Sequence, residues 1–502
     1  MDNESPTLYI YFAAFVAALG SFHYGFHIGE LNSPQKVISC EVPPPELYDS
    51  SFPPCIKMTP TQYALITSIF NLGGLLGSLL ASRIADSKGR KWALLFNNIF
   101  LILGSLLMGT AVTYFSLVVG RVLAGIGSGV IVVVVPMYLS EISTPEYRGT
   151  FGVMNQLGIV TGILFSQVEG LYLSTVPGWR LILMTGAIIG LLQVILLGFV
   201  VESPRYLVTL PNGYTAGKKS LQKLRGTLNV ESELNSWKQV AAEEGLEGLI
   251  SRNEDDDSEV DPSSVVMDNE SRNNLETPAV VFHARNRDHT VHDNINVLNF
   301  ISNPHYRPAL IVILLLQLTQ QFSGINGVIF YSTTILSEVM PDKSDLVTVY
   351  ISIVNTMMTI VSAILIDKAG RRILLLLSIS SMSIASAVLG FSIIQNYPIL
   401  SALSIITFVA SFAIGLGPIP FLIAPEIVDT HAAATASGLG MTVNWISNFI
   451  VSFLFLGAKE VLGGSVFYFF TGVLIAAFFL VRLYMPETKG KTVEEIWKSG
   501  QQ

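Results

Sequence analysis

Charged residues are scarce in this chain of 502 amino acids, which excludes an ordinary soluble protein. Asp, Glu, Lys and Arg make up 13% of the sequence, whereas a soluble domain carries about 25%. Hydrophobic residues account for 50%, and the mean hydropathy is +0.54. This composition also excludes a chain that is disordered throughout. Because the net charge is −8, no nucleic-acid partner is expected.

Cysteine is nearly absent, which excludes a small secreted fold held together by many disulfides. The two cysteines, Cys40 and Cys55, lie in one proline-rich segment. A disulfide between them is expected if that segment faces an oxidising compartment, and two free thiols are the alternative.

Motifs of enzymes and metal sites are missing from the sequence as well. It contains no HExxH sequence, no paired Cys/His spacing, no nucleotide-binding loop and no Ser-His-Asp pattern. His283, His289 and His292 fall in a polar tract, where a solvated segment is the expected structure. The sequence therefore predicts no cofactor and no metal, and it argues against an enzyme.

Long apolar stretches are what the sequence has in abundance. Twelve of them reach about 20 residues, the length of a helix that crosses a bilayer. Backbone polar groups cannot go unpaired in hydrocarbon, and the stretches are too long for barrel strands, so each predicts a helix. They lie at 8–29, 62–84, 92–113, 115–137, 151–173, 180–201, 308–333, 346–366, 373–395, 400–424, 434–457 and 464–485. The predicted fold is an all-α, polytopic membrane protein with 12 transmembrane helices.

Basic residues orient these predicted helices in the membrane. With the amino terminus inside, the cytosolic side carries 12 Lys and Arg against 5 outside, leaving aside the long central loop and Arg121 within helix 4. Since cytosolic connections are enriched in basic residues, both termini are predicted to be cytosolic. The segment with both cysteines then lies outside the cytosol. Asp2 and Glu4 stand where a signal peptide would be basic, so no cleaved signal is expected.

Three landmarks show that the chain repeats itself. Residues 86–91 recur at 367–372, Pro136 recurs at Pro420, and Glu202 recurs at Glu487, at offsets of 281, 284 and 285 residues. The same order at nearly the same offset indicates a duplicated unit of six helices. Two pseudo-symmetric six-helix bundles of this kind build transporters that bind their substrate near the midplane.

Four regions follow from this pattern. We predict an N-terminal bundle (1–202), a cytosolic linker (203–302), a C-terminal bundle (303–486) and a short cytosolic tail (487–502). Within the linker, residues 203–250 have the pattern of amphipathic surface helices. Residues 251–296 are acidic and polar with few large apolar groups, and we predict that they are disordered.

Nine short motifs follow one another along the chain: GFHIG at 25–29, NSPQ at 32–35, GR at 120–121 with nearby glycines, PMYLSE at 136–141, NQLG at 155–158, the amide-rich run 317–326, GPIP at 417–420, NW at 444–445 and PETKG at 486–490. In this order they resemble the sugar-porter family of the major facilitator superfamily, the animal glucose facilitators in particular. His27, Glu30 and residues 34–40 look most like a fungal subgroup associated with the vacuole. The resemblance implies a plasma-membrane or vacuolar protein, and it implies nothing about oligomeric state.

Helix 7 carries an unusual set of amides for a membrane helix. At 3.6 residues per turn, Gln317, Gln320 or Gln321, and Phe330 or Tyr331 can face one cavity. A neutral amide offers both a donor and an acceptor, as sugar hydroxyls require. Contact between helices is the alternative use of buried amides; four amides in ten residues beside several glycines favour the cavity.

The resemblance implies a fuller binding site. The residues that match hexose-hydroxyl ligands of the family are Gln156, Gln320, Gln321, Asn326, Asn355 and Asn444, and Gln317 matches a position credited with selectivity. The apolar wall would consist of Ile159, Ile163, Phe330, Phe421 and Trp445. Phe421 stands where the glucose facilitators carry Trp, so the choice of sugar stays open. The implied partners are a small sugar and the lipid bilayer.

Charged residues at the cytosolic helix ends are predicted to act as gates, because pairs that form in only one state bias the equilibrium towards it. They are Arg90, Glu141, Arg148, Glu202, Arg205, Arg371, Arg372, Glu426 and Glu487. Anchoring of the topology is the alternative for the basic residues, but it leaves the paired Glu positions unexplained. For Arg121, in helix 4, a buried gating role and a side chain that extends to the membrane surface are equally open.

His27 bears on the mode of transport. By the resemblance, proton-driven sugar symporters carry Asp at this position and facilitators carry Asn, whereas His can change its charge near the pH of an acidic compartment. The expected function is the transport of a hexose, glucose in the first place, by facilitated diffusion. The alternatives are a proton-coupled symporter that uses His27 and a sugar sensor without flux, which the short carboxyl-terminal tail disfavours.

Overall fold

Twelve long helices dominate the computed structural model, which describes residues 7–43, 52–144, 146–210, 213–237 and 296–498. The first half contains α1 (Leu8–Gly29), α2 (Pro60–Lys88), α3 (Arg90–Gly109), α4 (Tyr114–Ile142), α5 (Arg148–Leu173) and α6 (Gly178–Leu197). The second half contains α7 (Arg307–Phe322 and Ile325–Ser337), α8 (Ser344–Ala369), α9 (Arg371–Ile394), α10 (Pro398–Ile414 and Ile419–Glu426), α11 (Thr430–Leu462) and α12 (Val466–Tyr484).

Each of the twelve predicted stretches corresponds to one of these helices. Eleven spans are long and apolar enough to cross a membrane, and the last of them, Ala432–Tyr484, contains both α11 and α12. A short 3-10 turn, Gly463–Ser465, separates these two helices. The described residues contain no strand. The prediction of an all-α membrane protein with 12 transmembrane helices in two bundles is therefore confirmed.

Local sequence sets where the helices begin and break. Thr59 caps α2 in a capping box with Gln62, directly before Pro60. Gly89 (φ 101°) separates α2 from α3, and Gly370 (φ 88°) separates α8 from α9 at the equivalent place. Only glycine adopts such backbone angles without strain, so the repeat seen in the sequence is also a repeat of backbone geometry.

Two helices of the second half are interrupted. In α7 the break lies at Gly324, whose φ of 89° ends one segment and starts the next. In α10 the helix stops at Ile414 and resumes at Ile419, across a glycine- and proline-containing turn. Broken membrane helices leave backbone carbonyls free to bind side chains or ligands.

The helices pack closely in several places. In the first half α2 approaches α4 so tightly that a Cβ on Gly77 would lie 2.0 Å from the carbonyl oxygen of Ile126. The two halves contact each other mainly through α2 with α11 and α5 with α8. At the first of these seams Gly74 lies against the indole ring of Trp445.

Short helices follow and precede the bundles: Pro204–Thr209 and Tyr214–Arg225 after α6, Val297–Ser302 before α7, and Val493–Lys498 near the carboxyl end. Residues 226–293 form a separate unit, of which 226–237 are described, with a helix at 231–237. The predicted disordered segment lies outside the described residues up to 295, and so do residues 238–250. The four region boundaries stay predictions.

Cys40 and Cys55 form a disulfide bond in the segment between α1 and α2. Under the predicted topology this segment lies outside the cytosol. We therefore call the end of the bundles that carries the disulfide the outer end, and the end that carries Arg90 and Arg371 the inner end.

Candidate functional site

An amide network lies where α7, α10 and α11 of the second half meet. The Gln320 side-chain nitrogen donates to the carbonyl oxygens of Leu416 (2.9 Å) and Gly417 (2.8 Å), which the break in α10 leaves available. Gln317 likewise donates to the carbonyl of Pro420 at 3.2 Å. The break in α10 and the first turn after it thus supply the acceptors that hold both glutamines in place.

Three further predicted amides extend this network. Asn444 of α11 donates to the side-chain oxygens of Gln317 (2.7 Å) and Gln320 (2.6 Å). Gln321 donates to Gln320 at 3.1 Å, and Asn326 donates to the side-chain oxygen of Gln321. We call Gln317, Gln320, Gln321, Asn326 and Asn444 the amide network. All five side chains are neutral, so a polar but uncharged ligand suits them.

Asn355 lies apart from the amide network, in a cavity between the halves. The predicted wall residue Ile163 lines the same cavity. Five polar residues that the sequence analysis did not select also line it: Asn32, Gln167, Ser332, Thr348 and Ser352. The helical spacing could have predicted some of them. Residues 348, 352 and 355 share one helix face, and residue 167 lies three turns after Gln156.

The aromatic residues differ in how deeply they lie. Trp445 is 2% exposed, with its ring edge-on to Tyr24 of the first half at 6.2 Å between centroids. Phe330 is also buried, whereas Phe421 is 41% exposed. Gln156 and Ile159 are half-buried on α5.

One amide contact crosses the seam between α2 and α11. Asn71 of the first half donates to the side-chain oxygen of Asn448 at 3.2 Å, and Ser452 donates to the same oxygen at 2.9 Å. These residues were not among the predicted site residues. Asn448 lies one helical turn after Asn444, which is the signal that could have identified it.

Hydrogen bonds close the seam at its outer end. The Asn32 amide, just after α1, donates to the Ser332 hydroxyl (2.7 Å) and the Ile329 carbonyl (3.0 Å) of α7. The Thr333 N–H donates back to the Asn32 side-chain oxygen at 3.2 Å. Lys36 adds a bond to Ser337 at 3.0 Å. We call these contacts between residues 32–36 and the second segment of α7 the outer latch.

The predicted gating charges pair within each half. Arg90 lies 2.9 Å from Glu141, while the Glu202 carboxylate accepts the N–H groups of Arg90 and Lys91, each at 2.9 Å. Burial and the Glu202 carboxylate raise the pKa of Tyr206, whose ring lies under the Arg90 guanidinium, so its hydroxyl stays neutral.

The second half repeats this arrangement. Arg371 lies 3.0 Å from Glu426, and Glu487 accepts the N–H groups of Arg371 (2.9 Å) and Arg372 (3.1 Å). A carboxylate at a helix N-terminus is stabilised by the helix dipole. Arg205 lies in the short helix after α6; the side chain of Arg148 is outside the described residues.

Arg121 is fully buried, so its side chain does not extend to the membrane surface. Its guanidinium contacts Glu30 and the His27 carbonyl oxygen, each at 2.8 Å, and lies over the Phe70 ring. His27 in turn contacts Glu30 at 3.0 Å. Glu30 entered the sequence analysis only as part of a motif; a carboxylate at the end of an apolar helix was the signal for its role.

Comparison with known proteins agrees with this geometry. The family model described as "Sugar (and other) transporter" matches residues 13–254 and 254–498, one match for each half. A probable metabolite transport protein of Saccharomyces cerevisiae is 34% identical, with 96% of this chain and 93% of that protein covered. The human solute carrier family 2, facilitated glucose transporter member 4, is also 34% identical, with 99% and 92% covered.

Solved structures share the fold. The xylose transporter XylE of E. coli in an inward open conformation superposes with a TM-score of 0.72 at 21% identity, covering 98% of this chain and all of that one. In a partially occluded inward open conformation the TM-score is 0.70 at 20% identity, with 95% of this chain covered.

Proposed function

The chain belongs to the sugar-porter family of the major facilitator superfamily, and from that premise we propose that it moves a hexose, glucose in the first place, across a membrane by alternating access. It is an integral membrane sugar transporter and not an enzyme. The observation that carries the proposal is the uncharged amide network between α7, α10 and α11.

The chemistry of the network favours a sugar over an ion or an acid. A hydroxyl donates one hydrogen bond and accepts others, which matches the paired donor and acceptor of each carboxamide. Each such bond contributes about 0.5–1.5 kcal/mol net. Several of them, less the cost of immobilising the ligand, amount to about −4 kcal/mol, the free energy of a millimolar Kd. Weak binding suits a carrier because the sugar must leave again.

Glucose is supported by the human relative, which is named a facilitated glucose transporter. Trp445 offers a buried aromatic surface for the sugar's C–H face, while Phe421 provides less stacking area than an indole would. Gln156, Ile159, Ile163, Phe330 and Asn355 complete the proposed chamber, on both sides of the seam.

The outer latch supports alternating access, because it closes the seam between the halves at one end only by hydrogen bonds that can break. A second conformation would break the latch, and the sugar would reach the amide network from one end and leave it by the other. The ion pairs of Arg90 and Arg371 would then hold the helix ends of each half together as a rigid body.

Facilitated diffusion is the mode we propose, since the amide network itself contains no ionisable group. Proton-coupled symport through His27 is a second candidate, favoured by the buried contact of His27 with Glu30. An imposed pH gradient across vesicles separates the two, because only symport accumulates sugar against its own gradient.

The test of the carrier assignment is counterflow in proteoliposomes. Vesicles loaded with unlabelled glucose should transiently accumulate radiolabelled glucose, and a panel of unlabelled hexoses, pentoses and polyols should compete according to preference. If no monosaccharide exchanges or competes, the proposal is wrong.

We also propose that both termini face the cytosol, in the plasma membrane or the vacuolar membrane. In intact cells, the terminal tags of a plasma-membrane protein should resist external protease, while a tag near Cys40 should be cleaved. On intact isolated vacuoles, whose cytosolic face is outward, the terminal tags should be cleaved and a tag near Cys40 should be protected. Cleavage of a terminal tag from the outer side would overturn this orientation.

A further inference from the structure

A polar cavity of about 160 Å³ lies at the outer end of the bundles, outside the amide network. Its wall is formed by residues between 32 and 42 and by Ser174 from the first half, and by residues between 333 and 345 from the second half. A single water molecule needs only about 10–15 Å³, so the space suits a small organic molecule. We call it the outer cavity.

The outer latch forms part of this wall, because Asn32, Lys36 and Ser337 belong to both. The outer cavity is therefore present while the latch is closed. A ligand inside it would contact both halves at the place where they must separate for the outer end to open.

Two charges of opposite sign lie in a wall that otherwise offers mostly hydroxyl and amide groups. Lys36 donates to the Ser337 hydroxyl at 3.0 Å. Asp345 lies in the first turn of α8, and its carboxylate interacts with Lys36 and with the hydroxyls of Ser33 and Thr333. Because the two charges compensate each other, the outer cavity favours a neutral ligand over a cation or an anion.

Two polar atoms of the wall have unused hydrogen-bonding capacity. Within the described part of the chain, Asp345 Oδ1 and the Ser174 hydroxyl are buried without a hydrogen-bond partner. Buried polar atoms are normally paired, and these two come from opposite halves, at the start of α8 and the end of α5. A ligand with several hydroxyls would supply partners to both, since a hydroxyl donates to a carboxylate and also accepts.

We propose that the outer cavity is a second monosaccharide-binding site, separate from the amide network. Sugar hydroxyls donate to Asp345 and accept from Lys36, and the Ser174 hydroxyl bonds to the same ring from the other half. The inference deepens the proposed function, because it rests on the chain being a sugar carrier and takes the same class of substrate.

A zwitterion is the other ligand that the two charges could hold, with its ammonium group on Asp345 and its carboxylate on Lys36. The remaining hydroxyl and amide groups of the wall favour the sugar, because a polyhydroxylated ring can bond to them as well.

The test is protection of a thiol in the outer cavity. Both native cysteines are disulfide-bonded, so Pro341→Cys, at an exposed residue of the cavity wall, gives the full-length protein a single reactive thiol. Its labelling rate by a membrane-impermeant maleimide is measured in proteoliposomes with and without D-glucose. Thr110→Cys, exposed at the outer end of α3, is labelled in parallel to correct for direct effects of the sugar on the reagent.

The measurement is repeated in protein that also carries Gln320→Ala, Gln321→Ala and Asn444→Ala, so that binding at the amide network does not contribute. At about 100 mM glucose, a site with a Kd of about 10 mM slows labelling about tenfold. We expect this protection in the parent and in the triple variant alike. Glycine at the same concentration, a zwitterion without hydroxyls, should not protect.

Asp345→Asn keeps the shape of the side chain and removes its charge. We expect the Kd to rise about tenfold, so that the same glucose concentration slows labelling only about twofold. The matched control is Asp342→Asn, an exposed carboxylate one turn earlier that does not line the outer cavity. Protection in this control should stay at the parental level.

Absence of glucose protection in the parent overturns the proposal, and so does equal protection in Asp345→Asn and Asp342→Asn. Protection that disappears in a triple variant present in the membrane, or protection by glycine instead of glucose, overturns it as well. If the triple variant does not reach the membrane, the two Asp variants decide. Counterflow is measured separately: exchange without protection defeats the outer site alone, whereas the absence of exchange for every monosaccharide defeats the carrier assignment.

Discussion

The two halves of the molecule share a backbone plan and differ in what they bury. At the inner end they are alike: Arg90 with Glu141 and Arg371 with Glu426 form matching ion pairs, each beside a capping glutamate. In the interior they differ, because the second half buries the neutral amide network while the first half buries the charged cluster around Glu30. The halves therefore share a scaffold, while their interiors differ in charge: neutral amides in one half, and Arg121 paired with Glu30 in the other.

The largest effect on transport is expected from removing amides from the second half, where the two halves differ most. Replacing Gln320, Gln321 and Asn444 together by Ala removes several hydrogen bonds of about 0.5–1.5 kcal/mol each, which together amount to about a hundredfold in affinity. Glucose counterflow should fall below detection in protein that still reaches the membrane.

The matched control is Asn97→Ala, a fully buried amide of the first half. Counterflow should persist in this variant. Undiminished exchange by the triple variant would place sugar binding elsewhere.

Asn32 of the first half should control access from the outer end without affecting the preference among sugars. Asn32→Ala removes the three hydrogen bonds to Ser332, Thr333 and the Ile329 carbonyl, about 1–3 kcal/mol in favour of the closed outer end. The rate at which a membrane-impermeant maleimide labels Ser337→Cys, a thiol placed in the outer latch, should rise about tenfold. The order in which hexoses compete in counterflow should not change.

Leu8→Ala, at an exposed site on the opposite end of α1, is the control and should leave labelling unchanged. A changed order of sugar preference in Asn32→Ala would instead make Asn32 part of the binding site.

The likeness of the two inner ends predicts equal effects of equal substitutions. Glu202→Gln and Glu487→Gln each remove a carboxylate that accepts two N–H groups at a helix start. The loss of about 1 kcal/mol should lower the thermal unfolding midpoint by about 1 °C in each case.

Glu460→Gln, exposed at the outer end of α11, should leave the midpoint unchanged. A large effect in only one half would show that the two inner ends are not equivalent.

The smallest expected effect concerns the aromatic wall. Phe421→Trp adds stacking area and an indole N–H, worth about 0.5–1 kcal/mol, so glucose should compete about two- to fivefold better in counterflow. Phe391→Trp, exposed on α9 of the same half, is the control for indole addition outside the site. Unchanged competition would exclude Phe421 from sugar contact.

Most members of the amide network could be selected from sequence because amides in a membrane helix are conspicuous. Gln317, Gln320 and Gln321 stand out against an apolar background, and the break at Gly324 follows from local glycine content. Asn32, Asn71 and Gln167 could not be selected in the same way. Each lies in a different segment of the chain, and it gains its role only from a partner about 135 or more residues away.

Glu30 illustrates the same limit for charge. From sequence, Arg121 could reach the membrane surface or pair with a buried partner, and both were consistent with its position. Packing of α1 against α4 decided between them, because it places the Glu30 carboxylate 2.8 Å from the guanidinium.

By itself, the sequence determined the number of helices, their approximate ends, the duplication and the polar character of α7. These follow from hydrophobic length and from backbone hydrogen bonding, which act locally along the chain. The tertiary structure alone decided which polar groups meet: the amide network with the α10 carbonyls, Asn32 with the second segment of α7, and Glu30 with Arg121. Such contacts depend on the relative placement of whole helices, which no local pattern contains.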